Sequence, residues 1–444
     1  APNRPGLRPP PPPVNGGHSR PIEATLSTMA WEVHHVREAD VPAFARTVYG
    51  AFGRVADDDD MAHAAGAHQP DFALAISDQG RIVATASALP LELTVPAARG
   101  HAYPTVAAPG VTAVSVAATH RRQGLLTTLM NHQLADFRQR GYPVAVLLAS
   151  ESIIYGRFGY GWAQSYQSLM LETRYAAFRP SAPATPGRLR LIDRDEAGKL
   201  LPSVHEQARR LRPGELSRSP RWWDLHLRDP EKDREGAGGR MYAVHESAQG
   251  AADGWVSYRY RPSWPAGIPR HQVEIDDLVA LDAAGLTALW RFVLDLDLVE
   301  QVSAPNRPAD EPLRWLLADP RRLRTTDVAD HLWLRVIDIQ SALEARGYGS
   351  AERLVVDVAG IEPTAGGRFV LESGPTSGSC RPAHRGENAQ LGLGLAELGA
   401  IYLGGIAPLA LAAAGRVNEL QPGALAAADR VFASPVAPFC TLHF

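Results

Sequence analysis

From Val111 to Tyr160 the chain opens V-T-A-V-S-V-A-A-T-H-R-R-Q-G-L-L (111–126) and closes A-S-E-S-I-I-Y-G-R-F-G-Y (149–160). No other part of the sequence says as much about architecture. Val111 to Val116 reads as a β-strand that runs into a basic turn containing a glycine. A helix follows from Gly124 to Arg140. Its apolar residues Leu125, Leu126, Leu129, Met130, Leu134 and Phe137 recur on one face, and Gly141 stands where a helix ends. Val144 to Leu148 is a continuous apolar run, as expected of a strand buried on both faces. A strand, a turn of free amides and a helix N-terminus make a place to hold a phosphate-bearing cofactor. A tyrosine one strand later can serve as a proton donor beside it.

Upstream, Asp40 reads as the N-cap of a helix carrying Val41, Phe44, Val48, Tyr49 and Phe52, which the acidic run Asp57 to Asp60 interrupts. Phe72 to Ile76 and Ile82 to Ala88, joined at Asp78-Gln79-Gly80, read as a hairpin. Leu91 to Val95 reads as a third strand, and Ala97 to Pro109 as a loop. The resulting mixed sheet with packed helices predicts an α/β (α+β) domain over residues 29–165.

Residues 166–326 predict a second α/β unit, with Leu200 to Leu211 helical and Trp255 to Tyr260 a strand. Val273 to Leu281 and Leu286 to Leu294 repeat the strand-helix pattern, but their turn is acidic and lacks the Arg-Arg-Gln-Gly chemistry. A structural duplicate that binds no phosphate is expected there. Residues 327–444 form a third region, with strands at Leu332 to Ile337, Leu354 to Val358, Gly367 to Leu371 and near Cys380. Leu391 to Tyr402 and Pro408 to Ala414 read as helices. The chain remains apolar to its last residue, which predicts an ordered terminus where most chains fray. Residues 1–28, with the Pro9 to Pro13 run, read as a polyproline-like or disordered arm or extension, and Met29 as a possible original start.

The 444 residues are 45% hydrophobic and 21% charged, with a net charge of −3, as in a soluble globular protein of two to four domains. That charge gives no support to a nucleic-acid or membrane-surface role. Only Lys199 and Lys232 among the 45 basic residues are lysines, a bias typical of GC-rich coding, so arginine counts carry little functional weight. Cys380 and Cys440 are too few for a disulfide scaffold, and a reducing cytoplasm is the default. No apolar run reaches the roughly 18 residues of a membrane span. The histidines show no ligand spacing, so no metal is expected.

Together, V-S-V-A-A-T-H-R-R-Q-G-L-L and A-S-E-S-I-I-Y-G-R-F-G-Y-G resemble the GNAT acetyltransferase superfamily, and within it the "enhanced intracellular survival" (Eis-like) family of aminoglycoside N-acetyltransferases. The resemblance is strong over residues 110–165 and extends by domain layout to the whole chain from about residue 30. It implies two tandem GNAT-like domains, the second degenerate, a sterol-carrier-like C-terminal domain, acetyl-CoA as co-substrate and a homohexamer. It assigns the cofactor to Val114, Ser115, Val116, Arg121, Arg122, Gln123, Gly124 and Leu125, with further contacts at Ser150 and Glu151. Leu126 departs from the superfamily loop pattern, which has a small residue there.

The resemblance makes Tyr155 the general acid toward the departing thiolate, with Tyr160 its internal competitor. It makes the carboxylate of Phe444 the group that orients the amine and takes its proton through water. Plainer readings stand beside each role. The Arg-Arg-x-Gly turn can be a basic surface loop, both tyrosines can be core, and the tail can be a last strand. Asp57 to Asp60 and Glu151 are candidates to line an acidic pocket for a polycation, or a solvated loop. The expected activity is direct acetyl transfer to amines of aminoglycosides or similar polyamines. Protein lysine acetylation and non-catalytic binding of an apolar ligand by the third domain are the alternatives. A nucleotide-dependent dehydrogenase is disfavoured because no G-x-G-x-x-G follows a strand.

Overall fold

The computed structural model describes residues 31–98, 100–361, 366–374 and 378–444. The arm at 1–28 and Met29 lie outside the described residues. The first unit contributes β1 (Val33–His35), β2 (Leu74–Asp78), β3 (Arg81–Thr94), β4 (Thr105–Val116), β5 (Val144–Leu148) and β6 (Gly161–Trp162). Its helices are α1 (Val41–Ala51), α2 (Asp58–Ala67), α3 (Leu125–Gln139) and the single turn α4 (Ser152–Tyr155). The expected strand at Leu91 to Val95 is the continuation of the 14-residue β3, and β4 begins inside the segment expected as a loop. Their long antiparallel pairing, Thr94 with Thr105 through Ala84 with Val116, accounts for both differences.

The second unit contains β7 (Ser165–Glu172), β8 (Arg188–Ile192), β9 (Met241–Glu246), β10 (Ala252–Arg261), β11 (His271–Ala280), β12 (Val299–Pro308) and β13 (Arg324–Asp330). Its helices are α5 (Arg194–Arg209), α6 (Pro220–His226), α7 (Ala283–Leu294) and the short α8 (Leu313–Leu316). Next comes β14 (Leu332–Val336), which was expected in the third region. It lies instead in the first sheet, whose order is β1-β2-β3-β4-β5-β14-β6. The second sheet runs β13-β7-β12-β11-β10-β9-β8.

The two sheets therefore exchange strands. β14 pairs antiparallel with β5, and β7 holds the equivalent place beside β12. All five residues of β14 are buried, so the exchange runs through the core of the first unit.

The third unit has β15 (Arg353–Ala359), β16 (Gly367–Ser373), β17 (Gly378–Pro382), β18 (Leu391–Gly394) and β19 (Val417–Glu419) in the order β17-β16-β15-β18-β19. Around them pack α9 (Ile339–Glu344), α10 (Leu395–Tyr402), α11 (Pro408–Ala413) and α12 (Ala424–Phe432). The segment read as one helix from Leu391 splits into β18 and α10. The largest apolar cluster joins this unit to the first sheet, combining Val144, Val146 and Leu334 with Val356, Leu398, Ile401 and Phe432. At that contact a Cβ on Gly161 would fall 1.8 Å from the Ala396 carbonyl oxygen, so only glycine permits the approach. No helix among the described residues is long and apolar enough to cross a membrane.

Candidate active site

β4 and β5 run parallel, yet only Gly110 with Val146 and Val111 with Leu147 are paired. Beyond Val111 the two strands part. In the same place β4 carries a bulge: Thr85 pairs with Ser115 but Ser87 with Thr112, and Ala113 has φ +52°. The Thr85 hydroxyl lies 2.8 Å from the Ala113 carbonyl oxygen and 2.6 Å from the Ser115 hydroxyl, which fixes the bulge. The β4 edge from Thr112 to Val116 therefore faces a gap instead of a neighbouring strand. Val114 and Val116 were expected to point into the core. They are half-buried against it, whereas Ser115 is the buried residue of the three.

At the end of β4 the turn Arg121 to Gly124 is exposed throughout. Arg122 (φ +62°) and Gly124 (φ +86°) take the left-handed conformation that swings the chain into α3. Gly124 caps α3 without any side-chain hydrogen bond, and no acidic residue lies in the first turn. The helix therefore presents unpaired amides and its positive dipole end, the usual seat of a phosphate. Neither Arg121 nor Arg122 has an ion-pair partner among the described residues. The Trp31 indole donates to the Gln123 carbonyl at 3.1 Å, bracing the turn from the other side. Leu125 is buried, and Leu126 packs half-buried on the apolar cluster that includes Met130 and Leu134, so the departure from a small residue leaves the turn open.

Tyr155 belongs to the same apolar cluster as Val111 and Leu147, the last residues paired before the gap. Burial, with the Glu151 charge adding to it, raises its pKa above the usual phenol value, so the phenol keeps its proton at neutral pH. Ser150 and Glu151 lie exposed between β5 and α4. Tyr160 is fully enclosed, its ring centroid 6.1 Å from that of Tyr155, and its hydroxyl has no hydrogen-bond partner among the described residues. Tyr155 keeps 7% exposure and Tyr160 none, so of the two only Tyr155 reaches the surface. The turn between the two rings is held by Arg335 of β14, whose Nε donates to the Phe158 carbonyl at 2.8 Å. Sequence reasoning missed this residue, because nothing local links it to the first sheet.

The tail from Ala437 to Phe444 is irregular and forms no strand. It crosses the second unit and ends on the first, where the Phe444 ring packs against Gly110. Successive strand residues face opposite sides of a sheet. Tyr155 therefore lies on the face of Val111 and Phe444 on the face of Gly110, both at the point where β4 and β5 separate. The Asp57 to Asp60 run is not a loop. Asp57 caps α2 in a reciprocal box with Asp60. Its carboxylates meet cations: Lys232 lies 2.6 Å from Asp57 and 3.2 Å from Asp60, and Arg228 pairs with Asp59. Asp57, Asp59 and Asp60 thereby lock α2 to the second unit and do not stand as free acidic lining.

A gap beside a bulged strand, an open helix N-terminus and a protonated tyrosine define an acetyltransferase of the GNAT class. GNAT acetyltransferase domain models match residues 32–163 and 214–336, and a sterol carrier protein domain model matches residues 339–441. An uncharacterized N-acetyltransferase of Streptomyces avermitilis is 39% identical over 374 residues, 84% of this chain and 88% of that protein. N-acetyltransferase Eis of Mycobacterium tuberculosis is 35% identical over 368 residues, 80% of this chain and 84% of that one. The crystal structure of Eis1 from Mycobacterium abscessus matches with a TM-score of 0.81 at 30% identity, covering 93% of this chain and 100% of its own. The chain belongs to the Eis-like family of GNAT N-acetyltransferases.

Proposed function

We propose that the protein transfers the acetyl group of acetyl-CoA directly to a primary amine of an aminoglycoside or similar polyamine, with both substrates bound together. The observation that carries this reading is the parting of β4 and β5 at Val111 and Leu147. It joins an open α3 N-terminus and Tyr155 on one face to Phe444 on the other. In this reading Arg121, Arg122 and the first amides of α3 hold the phosphates of acetyl-CoA. A free amide of the Val114–Val116 edge holds the thioester carbonyl oxygen, where negative charge develops as the amine attacks.

The new C–N bond forms as the C–S bond breaks. The departing sulfur takes a proton from the Tyr155 hydroxyl, which recovers one from solvent. The attacking nitrogen loses its proton through water toward the Phe444 carboxylate. An α-carboxylate has an ordinary pKa of about 3.3–3.7, so it acts by orienting the amine and polarising that water more than as a strong base. The same reading includes a cytoplasmic homohexamer. The test follows thiol release with acetyl-CoA and a panel of aminoglycosides: turnover is expected, and no release with any amine would refute the reading. Extending the chain past Phe444 is expected to reduce turnover; full activity would remove the carboxylate from the mechanism.

A further inference from the structure

The last residues are held by the second unit, through groups that no catalytic role accounts for. The Phe439 amide donates to the Pro213 carbonyl at 2.9 Å, and a side chain at Gly214 (φ +95°) would meet that amide. At Thr441 the contact is double. Its amide donates to the Glu215 carboxylate at 3.0 Å and its hydroxyl to the same oxygen at 2.8 Å. The Arg218 guanidinium donates to the hydroxyl in turn. One residue further, His331 donates from Nε2 to the Leu442 carbonyl at 3.2 Å.

All of these groups are buried, Glu215 at 7% and Arg218 at 9% exposure. Burial works against charge on Glu215, but the His205 imidazole 3.8 Å away, the Arg218 guanidinium and the Thr441 hydroxyl hold its carboxyl below the usual range. Holding an irregular segment only by packing would need no buried carboxylate, and burying an ion is costly. What the ion adds is direction: one carboxylate oxygen reads both donors of one residue and so fixes its rotation as well as its place.

We propose that Glu215 and Thr441 form a clamp that positions Phe444 at the gap and thereby sets how well an amine is oriented for attack. The clamp rests on the role of Phe444 given above. Thr441 and Phe444 are three residue steps apart, a reach of about 10 Å at full extension, and His331 removes slack between them at Leu442. A shift at Thr441 is therefore transmitted to the terminus with little loss. Glu215, Arg218 and Thr441 are positioning residues: they touch the tail and not the reacting atoms.

The test compares Thr441→Val with Thr441→Ser in the full chain, measuring kcat/KM for the amine and, separately, KM for acetyl-CoA. Valine keeps the shape and removes the hydroxyl. The expected result is a loss of about tenfold or more in amine kcat/KM, an unchanged KM for acetyl-CoA, and recovery in the serine variant. An unchanged amine kcat/KM in the valine variant overturns the clamp. So does a parallel loss toward both substrates that serine does not restore. Deleting Phe444 separates the two readings. If the deletion abolishes turnover while Thr441→Val is silent, the clamp alone fails. If the deletion is without effect, both fail.

Discussion

The two GNAT units place a strand, a turn and a helix in the same order and fill the result differently. In the first unit β4 and β5 part after two paired residues, and α3 begins at a glycine without a side-chain cap, beside two arginines that have no ion-pair partner among the described residues. In the second, β11 and β12 pair over four residues, His271 to Glu274, before they too part, and the Asp282 side chain caps α7 by accepting from the Gly285 amide at 2.8 Å. Arg307 reaches from the end of β12 to the Leu278 carbonyl at 2.8 Å and is neutralised by Glu311. The second unit thus supplies its own carboxylate and its own guanidinium where the first leaves room for a ligand. The duplicate keeps the fold and fills with its own side chains the places that the first unit leaves open.

Reversing both charges, Arg121→Glu with Arg122→Glu, should lower kcat/KM for acetyl-CoA by about 10³-fold, since two charge-assisted contacts become repulsive. Steady-state kinetics would show it, and a loss under tenfold would place the phosphates elsewhere. Tyr155→Phe should lower turnover by about 10²-fold. Tyr160→Phe should leave turnover nearly intact and hold or raise Tm, because its enclosed hydroxyl has no hydrogen-bond partner among the described residues. The reverse pattern would move the acid to Tyr160.

Acid should act first on the junction between the units. Burial, with the His443 ring 4.7 Å away adding to it, lowers the His331 pKa from 6.5 to about 4. The unfolded chain therefore binds this proton first as pH falls. The stability tied to neutral His331 is complete above pH 6.5 and declines by about 3 kcal/mol between there and about pH 4. A Tm scan against pH should show this decline and His331→Gln should flatten it; parallel curves would exclude His331 as its source. The smallest effect belongs to the second unit. Asp282→Ala should cost about 1 kcal/mol by denaturant unfolding and leave turnover per folded molecule unchanged. A fall in that turnover would mean the capped turn has a catalytic part.

Much of this was legible in the sequence because it is local. The Arg121–Gly124 turn, α3 with its apolar face and the acidic turn at Asp282 each declare themselves within one or two helical turns. The bulge at Ala113 was not legible, since it depends on which residues of β3 lie opposite. Nor was the pairing of Asp60 with Lys232, 172 residues apart in the chain. The apolar pattern of Leu332 to Val336 identified a strand correctly and could not say which sheet would receive it. A period-2 or all-apolar run specifies faces, not neighbours. Arg335, Glu215 and Thr441 escaped notice for the same reason: each acts on a segment more than a hundred residues away.

The strand exchange has a consequence for how the protein is made. The segment bearing Tyr155 and Tyr160 is seated on β14, through Arg335 and the Trp333–Trp162 pairing. A ribosome has therefore translated both acetyltransferase units before the first can close its sheet, and until then the edge of β5 stands open to any passing strand. A fragment ending near residue 163, however complete it looks as a domain, should emerge sticky and inactive, and a nascent chain should acquire protease resistance in one late step after residue 336 has left the exit tunnel.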